Sequence, residues 1–217
     1  GLLVWALEQT AGRGQRGNQW LAEAGQNLTF SLALEPRFLL AHEQFYLSMA
    51  LALGLRDALA PLLATQVKWP NDLYAGPRKL GGMLLENQLR GSAMSHSVAG
   101  IGLNVNQIAF PLPTATSLRL ETGQEWPLGP MLNRLLGGIE ARYLQLRHGR
   151  RAQLHADYHE ALMGRNEWRR YGIEGQPVEG RIVAVEPSGH LLAEIRGQGT
   201  QRFGFKEISL WPSEIAS

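Results

Sequence analysis

Two lysines, two carboxylates and a Gly-Gly pair share one short stretch of this chain, Lys68–Asn87, which reads KWPNDLYAGPRKLGGMLLEN. Pro70 has no N–H to continue a strand ladder, so Val67 and Trp69 lead into a corner at Pro70-Asn71-Asp72. Leu73-Tyr74, a turn at Ala75-Gly76-Pro77 and Lys79–Leu85 then read as a hairpin. Simple alternation puts Lys79 and Gly81 on one face of the second strand. A lysine beside glycines sets a cation where backbone can approach a ligand closely, which suits a phosphate or a carboxylate. Taken alone, the block also fits an ordinary solvated hairpin whose glycines serve a tight bend.

Gln9–Trp20, QTAGRGQRGNQW, adds a second cationic element. Gly12, Gly14 and Gly17 free the backbone, and Arg13 and Arg16 stand between them with planar, fork-shaped donors. The loop satisfies the G-x-G-x-x-G spelling of a dinucleotide site, but that site needs a helix opening at the third glycine. Here the chain runs on to Thr29–Leu34, another strand. A P-loop is excluded as well, because Asn18-Gln19 replaces the Lys-Ser/Thr it needs. Leu2–Leu7, ahead of the loop, is an apolar run suited to a buried strand. The third element is Ser97–Asn106, SVAGIGLNVN. Ile101, Leu103 and Val105 would face the core, while Gly100, Gly102, Asn104 and Asn106 leave bare backbone and amides on the other face. Packing against a neighbouring element would also account for those glycines.

GRGQRGNQW, KWPND, RKLGG and GIGLN, in this order, resemble the motifs of biotin protein ligases, and the resemblance extends to the closing FKEISLW. It implies two steps: biotin and ATP give biotinyl-5'-AMP, and a lysine of a biotin carboxyl carrier domain then takes the biotinyl group. By motif match, Gln9, Arg13, Gly14, Gln15, Lys79, Gly82 and Gly100 would bind biotin. Arg16, Trp20, Asn71 and Asn104 would serve the nucleotide. Lys79 and Arg13 would be catalytic cations, with Lys79 holding the carboxyl group and the α-phosphate. Asp72 would orient or deprotonate the incoming amine, although an aspartate in a turn also satisfies its own backbone. ATP would arrive with Mg2+. Two departures stand out. The family's Ser-Thr-Asn motif would lie upstream of Gln9, so either the start is clipped or the first strand is missing, which would count against biotin binding. Gln15 also occupies a loop position that is commonly arginine.

A formal charge of +2 does not by itself suggest nucleic acid, and zero cysteines exclude disulfides and zinc–thiolate sites. The expected location is the cytoplasm, with no membrane partner and a homodimer allowed. The lysines are Lys68, Lys79 and Lys206 alone, each inside one of these motifs.

The remaining sequence reads as scaffold: a buried helix over Ala41–Ala60, a second over Pro130–Gln153 and a third over Arg151–Met163. His155 and His159 are one helical turn apart, but Ala156 stands where a zinc-protease helix needs its glutamate, so a structural role is favoured and no metal is expected. After Arg170, Val178–Val185, Leu191–Ile195 and Phe203–Leu210 alternate as short strands. The expectation is an α+β catalytic domain over 1–170, a mixed sheet with helices largely on one face, followed by a small SH3-like barrel over 171–217. No helix-turn-helix stands ahead of it in this sequence, so a repressor role is not expected unless one has been removed. The competing functions are a lipoate-type acyl ligase or transferase and a non-enzymatic nucleic-acid binder using the arginine loop.

Overall fold

The computed structural model describes residues 1–14 and 20–211. Gln15 and Arg16 lie outside the described residues. Among these, the strands β1 (Leu2–Ala6), β2 (Leu28–Leu34), β3 (Gln66–Lys68), β4 (Asp72–Ala75), β5 (Arg78–Arg90) and β6 (Ala93–Leu103) form one sheet in the order β1-β2-β6-β5-β4-β3. The α+β class holds, but neighbouring strands are antiparallel throughout where a mixed sheet was expected. Tight hairpins join β3 to β4, β4 to β5 and β5 to β6, and a hairpin can only make antiparallel neighbours. Parallel pairing occurs as isolated bridges, such as Lys79 with Ala115.

Two adjacent rows across this sheet explain its two faces. Val67, Leu73, Gly81, Leu103 and Leu28 are register partners in turn, and all lie on the core face. One residue along, Lys68, Asp72, Gly82, Gly102 and Thr29 form the next row and point the other way. Alternation thus separates core from site within a single register step.

The helix α1 (Phe45–Leu59) packs on the core face and is buried almost all round. It crosses α3 (Leu128–Arg147) where Gly54 meets Gly138 and Ile139; a Cβ on Gly54 would lie 2.6 Å from the Ile139 Cα. Between them in sequence lies the short α2 (Leu118–Thr122). The expected helix from Pro130 to Gln153 ends earlier, and the expected third helix from Arg151 follows it as a separate element. α3 stops at Arg147, Gly149 takes φ 78°, and α4 (Arg151–Ala161) starts afresh. Pro130 is tolerated because it sits in the first turn, where its missing N–H costs no helical bond. Arg142 on α3 ties the three helices together through Asp57 and Asp157. Among the described residues no helix is long and apolar enough to cross a membrane.

A second sheet follows, built from β7 (Arg169–Ile173), β8 (Gln176–Val185), β9 (Leu191–Ile195), β10 (Gly199–Phe203) and β11 (Ile208–Leu210), in the order β10-β9-β8-β7-β11. Its edges β10 and β11 do not pair, so the expected barrel is an open sheet here. It rests on the first unit partly through its turns: the Trp69 indole donates to the Gly189 carbonyl at 3.0 Å, and the Phe205 ring lies tilted 5.5 Å from that of Trp69.

The apolar run at the start is not a buried strand. β1 pairs with β2, and Leu2, Val4 and Leu7 are exposed. As the last strand in the sheet order it is an edge strand, and apolar composition alone does not report that.

His155 and His159 clasp the backbone of Val185 in β8. His155 Nε2 lies 3.0 Å from the carbonyl, and the Val185 N–H donates to His159 Nε2 at 2.8 Å. His159 Nδ1 donates to the His155 carbonyl at 2.7 Å, so His159 has no room for a second proton. Burial holds its pKa below the ordinary 6.5, helped by the charges of His155 and Arg165 and opposed by the hydrogen bond to the His155 carbonyl. A depressed histidine pKa means the fold favours the neutral ring. Its contribution is complete above 6.5 and is lost as the pH falls below that value. The thermal unfolding temperature should drop on acidification through this range, and His159→Asn, which cannot titrate, should show a smaller pH-dependent part. An identical pH profile in the variant would assign the acid sensitivity to other groups.

Candidate active site

The face opposite the helices is roofed by the second sheet and encloses a cavity of about 520 Å3, a volume ordinary for a small-molecule site. Its floor is the glycine-bearing face of β5 and β6. Leu84, Gly100 and Ser31 follow the Asp72–Gly82–Gly102–Thr29 row, and Glu86 with Val98 comes next.

Each glycine in the floor leaves space that is used differently. On Gly102 lies the Trp20 indole, so close that a Cβ there would overlap the ring. Over Gly82 sit Asp72 Oδ1 and Lys79 Nζ, 2.8 and 3.4 Å from where a Cβ would stand. Gly100 is open, with nothing nearer than 3.7 Å, and so presents bare backbone to a ligand. Gly102→Ala should push the indole off the floor and, with Trp20 in the nucleotide role that the resemblance implies, weaken ATP binding about tenfold. Titration with ATP beside the parent checks this, and unchanged affinity would mean Trp20 takes no part.

Lys79 does not share a face with Gly81, as alternation predicts. Leu73 pairs with Gly81 but Tyr74 pairs with Lys79, which leaves Leu80 as an extra residue on β5. This β-bulge turns Leu80 and Gly81 together into the core and brings Lys79 onto the face of Gly82. There Lys79 Nζ forms an ion pair with Asp72 Oδ1 at 2.7 Å and lies 6.0 Å from the Trp20 ring centroid. The Lys79 backbone is held on both sides, its N–H by Thr114 and its carbonyl by Thr116.

Of the residues singled out from sequence, Gln9, Arg13, Gly14, Trp20, Asn71, Asp72, Lys79, Gly82 and Gly100 line this cavity together. Asn71 also braces the corner by donating to the Met83 carbonyl. Asn104 is not among the lining residues. β6 ends at Leu103, and Asn104 is buried with its Nδ2 on the Thr116 carbonyl at 2.9 Å. The expected alternation runs on to Asn106, three residues past the end of the ladder.

Sequence reasoning missed the contribution of Arg169 and Ser209 on the second sheet, which line the far side with Lys206. Arg169 packs over Gly164, whose missing side chain leaves room for the guanidinium, 3.2 Å from where a Cβ would stand. Their approach depends on how two sheets dock, and no local pattern encodes that. Lys68, Lys79 and Lys206 are all the lysines of the chain, and all three line the cavity. With Arg13 and Arg169, these lysines outnumber Asp72 and Glu86 among the described lining residues, so the cavity attracts anions, and its open glycine floor admits a flat ligand.

The profile of the biotin/lipoate A/B protein ligase family matches residues 1–104. A biotin–[acetyl-CoA-carboxylase] ligase of Mycobacterium tuberculosis is 34% identical over 206 residues, covering 91% of this chain and 75% of that protein. The bifunctional ligase/repressor BirA of Bacillus subtilis is 34% identical over 151 residues, 66% of this chain but 46% of that longer protein. Among solved structures, the biotin protein ligase of Aquifex aeolicus in complex with biotin and ATP superposes with a TM-score of 0.79 at 26% identity, covering 96% of this chain and 88% of that one. The chain belongs to the biotin/lipoate A/B protein ligase family.

Proposed function

We infer that this chain is an ATP-dependent biotin protein ligase. It forms biotinyl-5'-AMP and passes the biotinyl group to a lysine of a biotin carboxyl carrier domain. The observation that carries this reading is the Lys79–Asp72 pair over Gly82, set beside Trp20 in a cationic cavity with a bare glycine floor.

In the first step a biotin carboxylate oxygen attacks the α-phosphorus of ATP, and the bond to the β-phosphate breaks as pyrophosphate leaves. Negative charge gathers on the oxygens between biotin and the α-phosphate, where Lys79 is placed to stabilise it, with Arg13 on the facing loop. ATP brings Mg2+ as its substrate complex. In the second step the carrier amine attacks the acyl carbon, AMP leaves, and Asp72 takes the amine proton. Gln9, Gly14, Gly82 and Gly100 form the biotin side, with the open Gly100 backbone as floor. Trp20 and Asn71 serve the nucleotide. Gln15 and Arg16 keep their sequence-based roles as proposals, while the buried position of Asn104 supports only an indirect one.

We place the functional division at 170, just inside β7, with the second sheet closing the nucleotide side through Lys206 and, from the start of β7, Arg169, two cations suited to phosphate. A cytoplasmic location and association of two copies complete the proposal. Lipoate-type ligation is the neighbouring chemistry in the family, but the named biotin ligases match over most of the chain.

The test is incubation with biotin, ATP and a biotin carboxyl carrier domain, followed by intact-mass analysis. One biotinyl increment on the carrier, dependent on ATP and accompanied by pyrophosphate, is expected. Transfer of lipoate in place of biotin would overturn the substrate assignment.

A further inference from the structure

Lys79 and Asp72 cannot do their proposed work while they hold each other. A lysine paired at 2.7 Å with a carboxylate has its charge largely cancelled toward a third group. When biotin carboxylate or the α-phosphate enters, Lys79 must turn to it and leave Asp72. The Asp72 side chain is only 22% exposed, and removing one partner from a shielded ion pair strands the other at a cost.

A second cation is in place. Lys68 is the direct register partner of Asp72 across β3 and β4, so their side chains leave the same face of adjacent strands. Its ammonium donates to the Tyr74 hydroxyl at 3.1 Å and lies 4.8 Å from the centre of that ring. The hydroxyl and the ring face are neutral partners, and neither cancels the charge. Burial lowers the pKa of Lys68; Asp72 opposes that shift, and Lys79 adds to it. As Lys79 moves toward a ligand, its repulsion weakens and the attraction of Asp72 for Lys68 is left unopposed.

We propose that Lys68 is a positioning residue that replaces Lys79 as the counter-ion of Asp72 when an anionic ligand draws Lys79 away. The exchange keeps Asp72 charged and aimed over Gly82 for the second step, and it frees Lys79 for the first. This inference rests on the ligase reading given above.

The experiment compares binding of biotin with binding of biotin methyl ester, which carries no charge to pull Lys79 off Asp72. Calorimetric titration of the parent chain, Lys68→Met and Lys68→Arg supplies the dissociation constants. Lys68→Met should weaken biotin binding about tenfold, the factor for about 1.4 kcal/mol, while leaving ester binding within twofold. Lys68→Arg, which keeps the charge, should restore most of the loss. In the Asp72→Asn background Lys68→Met should have no further effect on biotin, since there is no carboxylate left to pair. Equal losses for biotin and ester, or the same loss with Asp72 already removed, would overturn the exchange and leave Lys68 a packing residue. A parent chain that binds neither ligand would overturn the ligase reading, and this inference with it.

Discussion

Lys79→Ala should slow biotinyl-adenylate formation about a hundred- to thousandfold, the loss typical of removing one preorganised charge from a developing oxyanion. Three features of the fold concentrate the effect on this side chain. The bulge at Leu80 aims it onto the cavity face, the missing side chain of Gly82 gives it room, and its backbone is pinned between Thr114 and Thr116. Arg13 also lines the cavity, but it reaches the site from the loop after β1 rather than from the floor. The variant should still fold. The Lys79 side chain is 34% exposed, and Asp72 would keep a cation across the strand pair in Lys68. Isotope exchange between pyrophosphate and ATP, run with biotin, reads the first step alone. A near-parental exchange rate with an unchanged unfolding temperature would remove Lys79 from the chemistry.

The glycine floor is legible in the sequence because its signal is local: an RKLGG block and a GIGLN block each spell an apolar face against a bare one. Which glycine serves Lys79 is not legible. The extra residue at Leu80 shows only in how β4 pairs with β5, and a single bulge reverses the face of everything before it. The same limit applies to Asn104, where GIGLN continues the alternation but the ladder stops at Leu103. For β1, LLVWAL has the composition of an interior strand, and its place at the sheet edge follows only from the strand order. Helix α1 is the reverse case. Leucines one turn apart, with Phe45, Met49, Ala52 and Leu53 widening their stripe, already show that most of its circumference is covered, and only Tyr46, Ser48, Arg56 and Asp57 fall outside the buried set. The convergence of Lys68, Lys79 and Lys206 needs both sheets in place, although each lysine is individually conspicuous in a chain that otherwise uses arginine.

Asp72→Asn should separate the two halves of the reaction. The amide keeps the shape that fits over Gly82 and releases Lys79 from its 2.7 Å pair, so adenylate formation should be retained or modestly faster. Transfer is different. An amine attacks only when neutral, and a carrier lysine near its ordinary pKa of about 10.4 is almost wholly protonated at neutral pH. Without a carboxylate to accept the proton, transfer from preformed adenylate should fall about a hundred- to ten-thousandfold, the usual worth of a positioned general base. The deficit should then shrink as the pH rises toward the pKa of the lysine, because solution deprotonates a growing fraction of the acceptor. Single-turnover mixing of enzyme-bound adenylate with a carrier domain, quenched over time at several pH values, measures this directly. A defect that persists unchanged to high pH would show that Asp72 orients the acceptor rather than removing its proton. Transfer at the parental rate would leave Asp72 with no role beyond holding Lys79 in the empty site, and the base would then have to come from elsewhere in the cavity, where Glu86 is the remaining carboxylate among the described lining residues.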